Sequence, residues 1–438
     1  MTDVRSGGAV HNRWLIAGAG VVMQVVLGSV YAWSVFKKPF VDAFGWPIMD
    51  VGFTFTLAIL FIGLAAAFGG KFVDKAGARK VATVAALLFG AGTLLTGLAA
   101  AMGSKYLLWV GYGVIGGIGN GLGYITPIAV LVRWFPDKRG LVTGLAVMGF
   151  GFGAAIVGQI APLLIPSFGL ANTFYLFGAC FLVLLLGAAQ YLNNPPADWA
   201  PAVSVTSKLH TQKPIASFDI KTALGMRQFY ILWVVLFINV TAGIGLISNL
   251  SPMAQDQVGV AAALAGTIIF VSSLFNGCGR IFWASLSDKL GRKGVFMLIL
   301  GTQVPLFFII PHVTNLWVFS ALACYILACY GGGFATMPAY AAETFGCKHM
   351  GRIYGKVLLA WGAAGVVGPM LMEYIKTTSG NFKMAIYVSG AMLAAGFLVN
   401  LLYKNPHAHI AADESVCAIS GDVGGAVCEE VAEVPADA

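Results

Sequence analysis

The sequence predicts an all-α membrane protein of twelve spanning helices arranged as two repeated halves. Three observations carry that expectation. Apolar residues make up 58% of the 438 positions and charged residues only 10%, a balance that ordinary soluble domains do not show. Apolar windows of about 18 residues or more, long enough to cross a bilayer, recur along the chain. A charged turn, Asp74-Lys-Ala-Gly77-Ala-Arg79-Lys80, returns 214 residues later as Asp288-Lys-Leu-Gly291-Arg-Lys293.

The spans are expected near 14–37, 51–73, 80–102, 106–133, 140–166, 171–192, 228–251, 262–287, 293–312, 315–342, 350–375 and 382–403. They divide into an N-terminal set within 1–192 and a C-terminal set within 228–403. Between them lies 193–227, which opens Asn-Asn-Pro-Pro and mixes polar with basic residues, as a linker does. Residues 404–438 are acidic, rich in Ala, Gly and Val and without periodicity, so a disordered tail is expected. The first apolar stretch follows Arg13 directly and is too long for the core of a cleavable signal. The seven cysteines show no metal-type spacing, and neither a metal nor a cofactor is expected. No nucleophile–base pair is evident either, which argues against an enzyme.

The net charge of +8 conceals an acidic tail with seven acids and one lysine. In a membrane protein the basic surplus of the remainder reads as an orientation signal and not as a nucleic-acid footprint. Twelve spans put both ends and the linker on one side. That side receives twenty Lys and Arg; the other has Lys37, Lys38, Lys105, Lys376 and Lys383. Both termini are therefore expected in the cytoplasm of a cell bounded by this membrane, the inner or plasma membrane.

The remaining cation is Arg280, inside the eighth span and eight residues short of Asp288. At a rise of about 1.5 Å per residue its guanidinium stands roughly 12 Å inside the polar boundary. A permanent charge at that depth faces the protein interior or a watery cavity. It also breaks the repeat, since the same offset relates Arg280 to Ala66 and Asn276 to Ile62. An interhelix lock or a snorkelling side chain is the bland alternative. Against the lock, Glu343 and Glu373 lie near helix ends, so no acid is expected within a span to pair with it. An anionic guest then offsets the charge, and a planar bidentate donor suits a carboxylate. Asn276, one turn earlier on the same face, either orients the guanidinium and bonds the ligand or bonds a neighbouring helix. Tyr31, Tyr124 and Tyr330, each beside glycines in another span, offer phenol hydroxyls next to apolar faces, or else belong to the core.

The first charged turn, Gly70-Lys-Phe-Val-Asp74-Lys-Ala-Gly77-Ala-Arg79-Lys80, resembles the loop signature of the major facilitator superfamily, with the run from Asp288 through Gly291 and Arg292 a looser copy. The resemblance covers all twelve spans. It implies two pseudo-symmetric six-helix bundles, a cavity near mid-membrane and alternating access by rocking. The strings Arg133-Trp-Phe-Pro-Asp-Lys-Arg139-Gly and Leu274-Phe-Asn-Gly-Cys-Gly-Arg280-Ile-Phe-Trp are similar to the bacterial oxalate–formate antiporter branch, which adjoins the monocarboxylate transporters. The resemblance implies a carboxylate on Arg280 and lining roles for Tyr31, Tyr124 and Tyr330. It departs at the cavity lysine of the antiporter's eleventh span, where this chain has Trp361. It departs also from the aspartate that monocarboxylate transporters carry one turn before their arginine, where this chain has Asn276. Two cations suit a dicarboxylate; one cation with an indole suits a monocarboxylate with a short apolar tail.

The expected activity is therefore proton-coupled transport of a lactate- or pyruvate-type monocarboxylate, with L-lactate as the substrate the resemblance favours. The substrate's methyl would lie against Leu27, Leu145, Phe334 and Leu358. Asp256, at the outer end of the seventh span, is one candidate for the proton-carrying group; the substrate travelling as its acid is the other. The rival classes are an oxalate/formate-type exchanger without proton coupling and a non-transporting membrane receptor. The partners expected are thus a small monocarboxylate, a proton and membrane lipid, with no nucleic acid.

Overall fold

The computed structural model describes residues 12–135, 139–195, 218–346 and 350–407, and among these the chain is helical with no strand. The expectations for the middle of the linker and for the tail beyond His407 lie outside the described residues. Among the described residues twelve spans are present: α1 (Arg13–Ala32), α2 (Ile48–Ala76), α3 (Ala78–Met102), α4 (Lys105–Leu131), α5 and α6 within the helical run Arg139–Tyr191, α7 (Arg227–Val258), α8 (Ala262–Leu290), α9 (Arg292–His312), α10 (Leu316–Phe345), α11 (Ile353–Ser379) and α12 (Lys383–Leu401). The run from Arg139 is divided at Gly169, whose φ of 76° and ψ of 164° turn the chain back between α5 and α6. Beyond α1 the helical course continues as an arm, Ser34–Phe44.

The repeated charged turn folds the same way twice. Gly77 joins α2 to α3 with φ 87° and ψ 149°; Gly291 joins α8 to α9 with φ 77° and ψ 154°. That region of backbone space is open in practice only to glycine. In the second copy Arg292 reaches Asp288 Oδ1 at 2.6 Å and Glu343 Oε1 at 2.8 Å, and it also bonds Ser287, tying α8 and α9 to α10. In the first copy Arg79 is exposed. The backbone of Gly70 and Asp74 lies in the last turns of α2.

Both ends of the linker emerge at one end of the molecule. Trp134 Nε1 donates to Asn193 O at 2.6 Å and Phe218 N donates to Phe345 O at 3.0 Å. That end is the linker end, and the opposite one the far end. The halves meet along two seams, α5 against α8 and α2 against α11, which the six-span repeat interchanges. Both are lined by glycine, which lets backbones approach without a side chain between them. A Cβ on Gly151 would stand 3.0 Å from Gly277 Cα, and one on Gly63 would stand 2.7 Å from Gly362 Cα.

Alanine at Gly77 or Gly291 is expected to cost about 1–3 kcal/mol through backbone strain. Alanine at Gly187, whose Cβ would meet open space at an ordinary helical φ, should be neutral or stabilising. Thermal-unfolding midpoints of the three purified variants in detergent check the contrast.

Candidate functional site

Arg280 is carried by α8, one of the helices of the seam between the halves, and is 2% exposed. Neither bulk water nor an acid receives it: among the described residues no carboxylate lies within ion-pair distance, and its Nε has no hydrogen-bond partner. What surrounds it is aromatic. Its guanidinium carbon stands 5.8 Å from the centre of the Phe334 ring, and the phenols of Tyr124 and Tyr354 lie within electrostatic range of it. The electron-rich ring face attracts the cation, more strongly once water is excluded.

Three consecutive glycines of α10 make room for this arrangement. Asn276, one turn before Arg280 on α8, fills the space where Gly331 would otherwise carry a side chain, and Arg280 Cγ lies 3.1 Å from the same point. Trp283 occupies the corresponding space at Gly332 and Asn239 of α7 that at Gly333. Tyr330 likewise packs its ring over Gly243 of α7. The polar face of α8 therefore reaches the centre only because α10 has no side chains there. Neither Oδ1 nor Nδ2 of Asn276 has a partner, although both are buried.

From the other half, α1 brings Tyr31, whose hydroxyl is 2.7 Å from that of Tyr330. α4 brings Tyr124, held through its own carbonyl by Gln24 Nε2 at 3.0 Å. Phe150 of α5 presents its ring edgewise to both, at 5.3 and 5.4 Å between centres. Trp361 of α11 contacts Tyr124 and Phe334 edgewise at 5.2 and 5.1 Å, and its Nε1 points toward the Tyr31 hydroxyl without closing a hydrogen bond. Leu27 packs on Gly123, and Leu358 sits where the helix of α11 breaks between Val357 and Leu359. Leu145 is half-buried on α5. Arg280, Tyr31, Tyr124, Tyr330, Phe334, Trp361, Leu27 and Leu358 are each no more than 5% exposed, so the group is closed off from both ends.

The structure thus gathers Arg280, Asn276, the three tyrosines, Phe334 and Trp361 at one place. Asp256 is elsewhere: it lies at the far rim, 35% exposed, between Lys38 at 2.7 Å and Lys376 at 2.9 Å. Sequence reasoning missed Phe150 and Tyr354. Phe150 stands in a Gly-Phe-Gly-Phe-Gly run that reads as packing; Tyr354 is one turn before Leu358 on the same helix face, a spacing that offers a signal. Sequence reasoning also put Glu373 near a helix end and Lys37 on the outer side. Instead both are buried, at 1% and 0%, and paired with each other. The arm extends the first helix beyond its apolar stretch and carries Lys37 inward, against α7 and α11.

A fold of twelve spans in two halves, with a sealed polar centre between them, defines a multi-pass membrane transporter. The pattern of the Major Facilitator Superfamily matches residues 16–327 and 232–416, and the chain belongs to that family. It is 27% identical over 380 residues to the oxalate:formate antiporter of Oxalobacter formigenes, covering 86% of this chain and 88% of that protein. It is 21% identical over 474 residues to monocarboxylate transporter 14 of Mus musculus, with 89% of each covered. Among solved structures, an inward-facing bacterial homologue of the human lysosomal transporter Spinster superposes with a TM-score of 0.69 at 15% identity, over 90% of this chain and 98% of that one. These relatives and this fold are those of transporters, not of enzymes.

Valine at Gly331 would drive a side chain into Asn276 and the stem of Arg280. Overpacking of this kind is expected to cost about 1–3 kcal/mol, read as a lowered unfolding midpoint relative to the parent chain.

Proposed function

We propose that this protein carries a small monocarboxylate of lactate or pyruvate type, together with a proton, across the cell membrane by alternating access. One observation carries the proposal: a buried guanidinium with no acid among the described residues to balance it, beside unpartnered polar atoms of Asn276 and Trp361. A carboxylate paired with Arg280 supplies the missing charge through two parallel hydrogen bonds. The hydroxyl or keto oxygen of the substrate then falls to Asn276, and its methyl to the apolar wall of Leu27, Phe334, Trp361 and Leu358. The oxalate:formate antiporter and monocarboxylate transporter 14 are named for small carboxylates, which supports the same ligand chemistry here.

Loading lowers the cost of enclosing the cation, so closure follows binding. Moving the anion alone works with or against the membrane potential by about 2.3 kcal/mol per 100 mV. A proton moving with it removes that dependence. The excess of Lys and Arg expected at the linker end supports a cytoplasmic position for that end, in the cell membrane. The relation to an antiporter favours a second reading, exchange of one organic anion for another without a proton.

In proteoliposomes, labelled L-lactate is expected to accumulate when the outside is acidified, with no anion inside. A strict requirement for internal counter-anion would establish exchange instead, and binding without flux would point to a receptor. Arg280→Lys and Arg280→Ala are both expected to lower uptake roughly a hundredfold or more, the order seen when one partner of a buried charge pair is lost. Retained uptake in either rejects the assignment of the carboxylate to Arg280. Trp361→Lys adds a second cation to the site and should shift preference from lactate toward oxalate, measured as the ratio of their uptake rates.

A further inference from the structure

A second buried charge cluster lies at the far end, apart from Arg280, and it crosses between the halves. Tyr31, Ser34 and Lys37 succeed one another at intervals of three residues, so they share a face of the helix that runs from α1 into the arm. Lys37 Nζ pairs with Glu373 of α11 and also donates to Asn249 Oδ1 of α7 at 2.8 Å. Asn249 is itself fixed by its Nδ2 donating to Gly245 O at 3.1 Å and Ser248 Oγ at 3.0 Å. The Glu373 carboxylate lodges against Gly52 of α2, where any Cβ would collide with it. An ammonium of the first half is thus gripped by two groups of the second, and a carboxylate of the second fits a notch in the first. Nearer the rim, the bridge from Lys38 to Asp256 and Lys376 crosses the same gap.

Stability alone is a poor reason for such a pair. Burying two charges costs nearly what their attraction returns, and an apolar pair of the same shape often holds a fold as well. The cluster differs from an apolar contact in its response to separation of the halves. Water reaching the gap solvates both ions separately, so the open arrangement is not penalised as exposed apolar surface would be. Removal of one partner in the closed arrangement, by contrast, leaves a lone buried charge. We propose that Lys37, Asn249 and Glu373 are the catch of the far-end gate: positioning residues that hold this end shut and release by separating into water. The proposal rests on the transporter fold and not on which anion is carried.

The test uses Ser34→Cys as a reporter, since Ser34 is 1% exposed and lies between Tyr31 and Lys37. Labelling by a membrane-impermeant maleimide reaching the protein from the far end is measured in sealed vesicles of both orientations. It is counted as the increment over the parent with its native cysteines. Lys37→Met and Glu373→Gln should each raise the labelling rate by about tenfold or more, because each strands a charge in the closed state. The double variant, in which no lone charge remains, should return toward the parent rate. Gly52→Ala keeps both charges but crowds the carboxylate, and should behave as the single variants do. Parent-like labelling in the single variants, or a double variant at the sum of the two, overturns the proposal. Where a single variant fails to give a monodisperse protein, Gly52→Ala decides, and unchanged labelling there rejects the catch. None of these measurements needs a substrate, so a failure of lactate uptake and a failure of the catch are read apart.

Discussion

The structure is arranged around one electrostatic constraint, a guanidinium held where neither bulk water nor any acid among the described residues balances it. The attraction of a ring face for a cation is worth on the order of 2 kcal/mol even when desolvated. Phe334 and the phenols of Tyr124 and Tyr354 therefore ease the burial of Arg280 without removing its cost. The surrounding architecture reflects that need. α10 gives up three successive side chains so that Asn276, Trp283 and Asn239 can pack in their place. The aromatic groups of α1, α4, α5 and α11 close over the charge from the other directions.

Two buried cations in this chain are handled in opposite ways. Lys37 has a carboxylate and an amide of its own, and both come from the other half. Arg280 has an amide one turn away that does not reach it with a closed hydrogen bond, and no acid among the described residues. A pair that is complete when the halves touch belongs with holding them together. An incomplete one is what the anion of the proposed function would complete. The choice of cation fits the division: a guanidinium offers the rigid planar fork that the proposed carboxylate would need, while the ammonium is a compact point charge.

Much of this was legible in the sequence. The charged turn recurs at a fixed offset because both copies need a glycine at the same unusual dihedral angles, and Gly77 and Gly291 agree within about ten degrees in φ. Arg280 stood out because a charge in an apolar helix has no bland explanation of comparable weight. The contribution of Gly52, Phe150 and Lys37 was hidden for a common reason. Periodicity describes one helix at a time, whereas each of these residues is defined by the helix it meets. Gly52 is an ordinary helix glycine until Glu373 arrives, and Lys37 looks like a rim lysine until the arm carries it between α7 and α11. Asp256 was visible as an acid at a helix end, but its two lysine partners come from the arm and from α11.

The repeat also shows where the two halves part company. In the second half, Gly331 of α10 packs onto the backbone oxygen of Asn276; in the first, Gly121 of α4 packs onto the backbone oxygen of Ile62. Ile62 and Asn276 are related by the same 214-residue offset as the charged turns, so one helix contact is built twice. Taking those glycines as equivalent sets Tyr124 opposite Phe334, and both rings do meet Trp361 edgewise. The scaffold is symmetric and the chemistry is not: Ile62 and Ala66 are apolar where Asn276 and Arg280 are polar and charged. An anion bound here would take its charge partner from the second half and much of its wall, through Leu27, Tyr31, Tyr124 and Phe150, from the first. As the halves rock, the ion pair would travel intact with α8 while the wall slides past it. On the proposed function, a substrate so held would be enclosed or released by moving aromatic surface, without breaking its charge contact in the middle of the membrane.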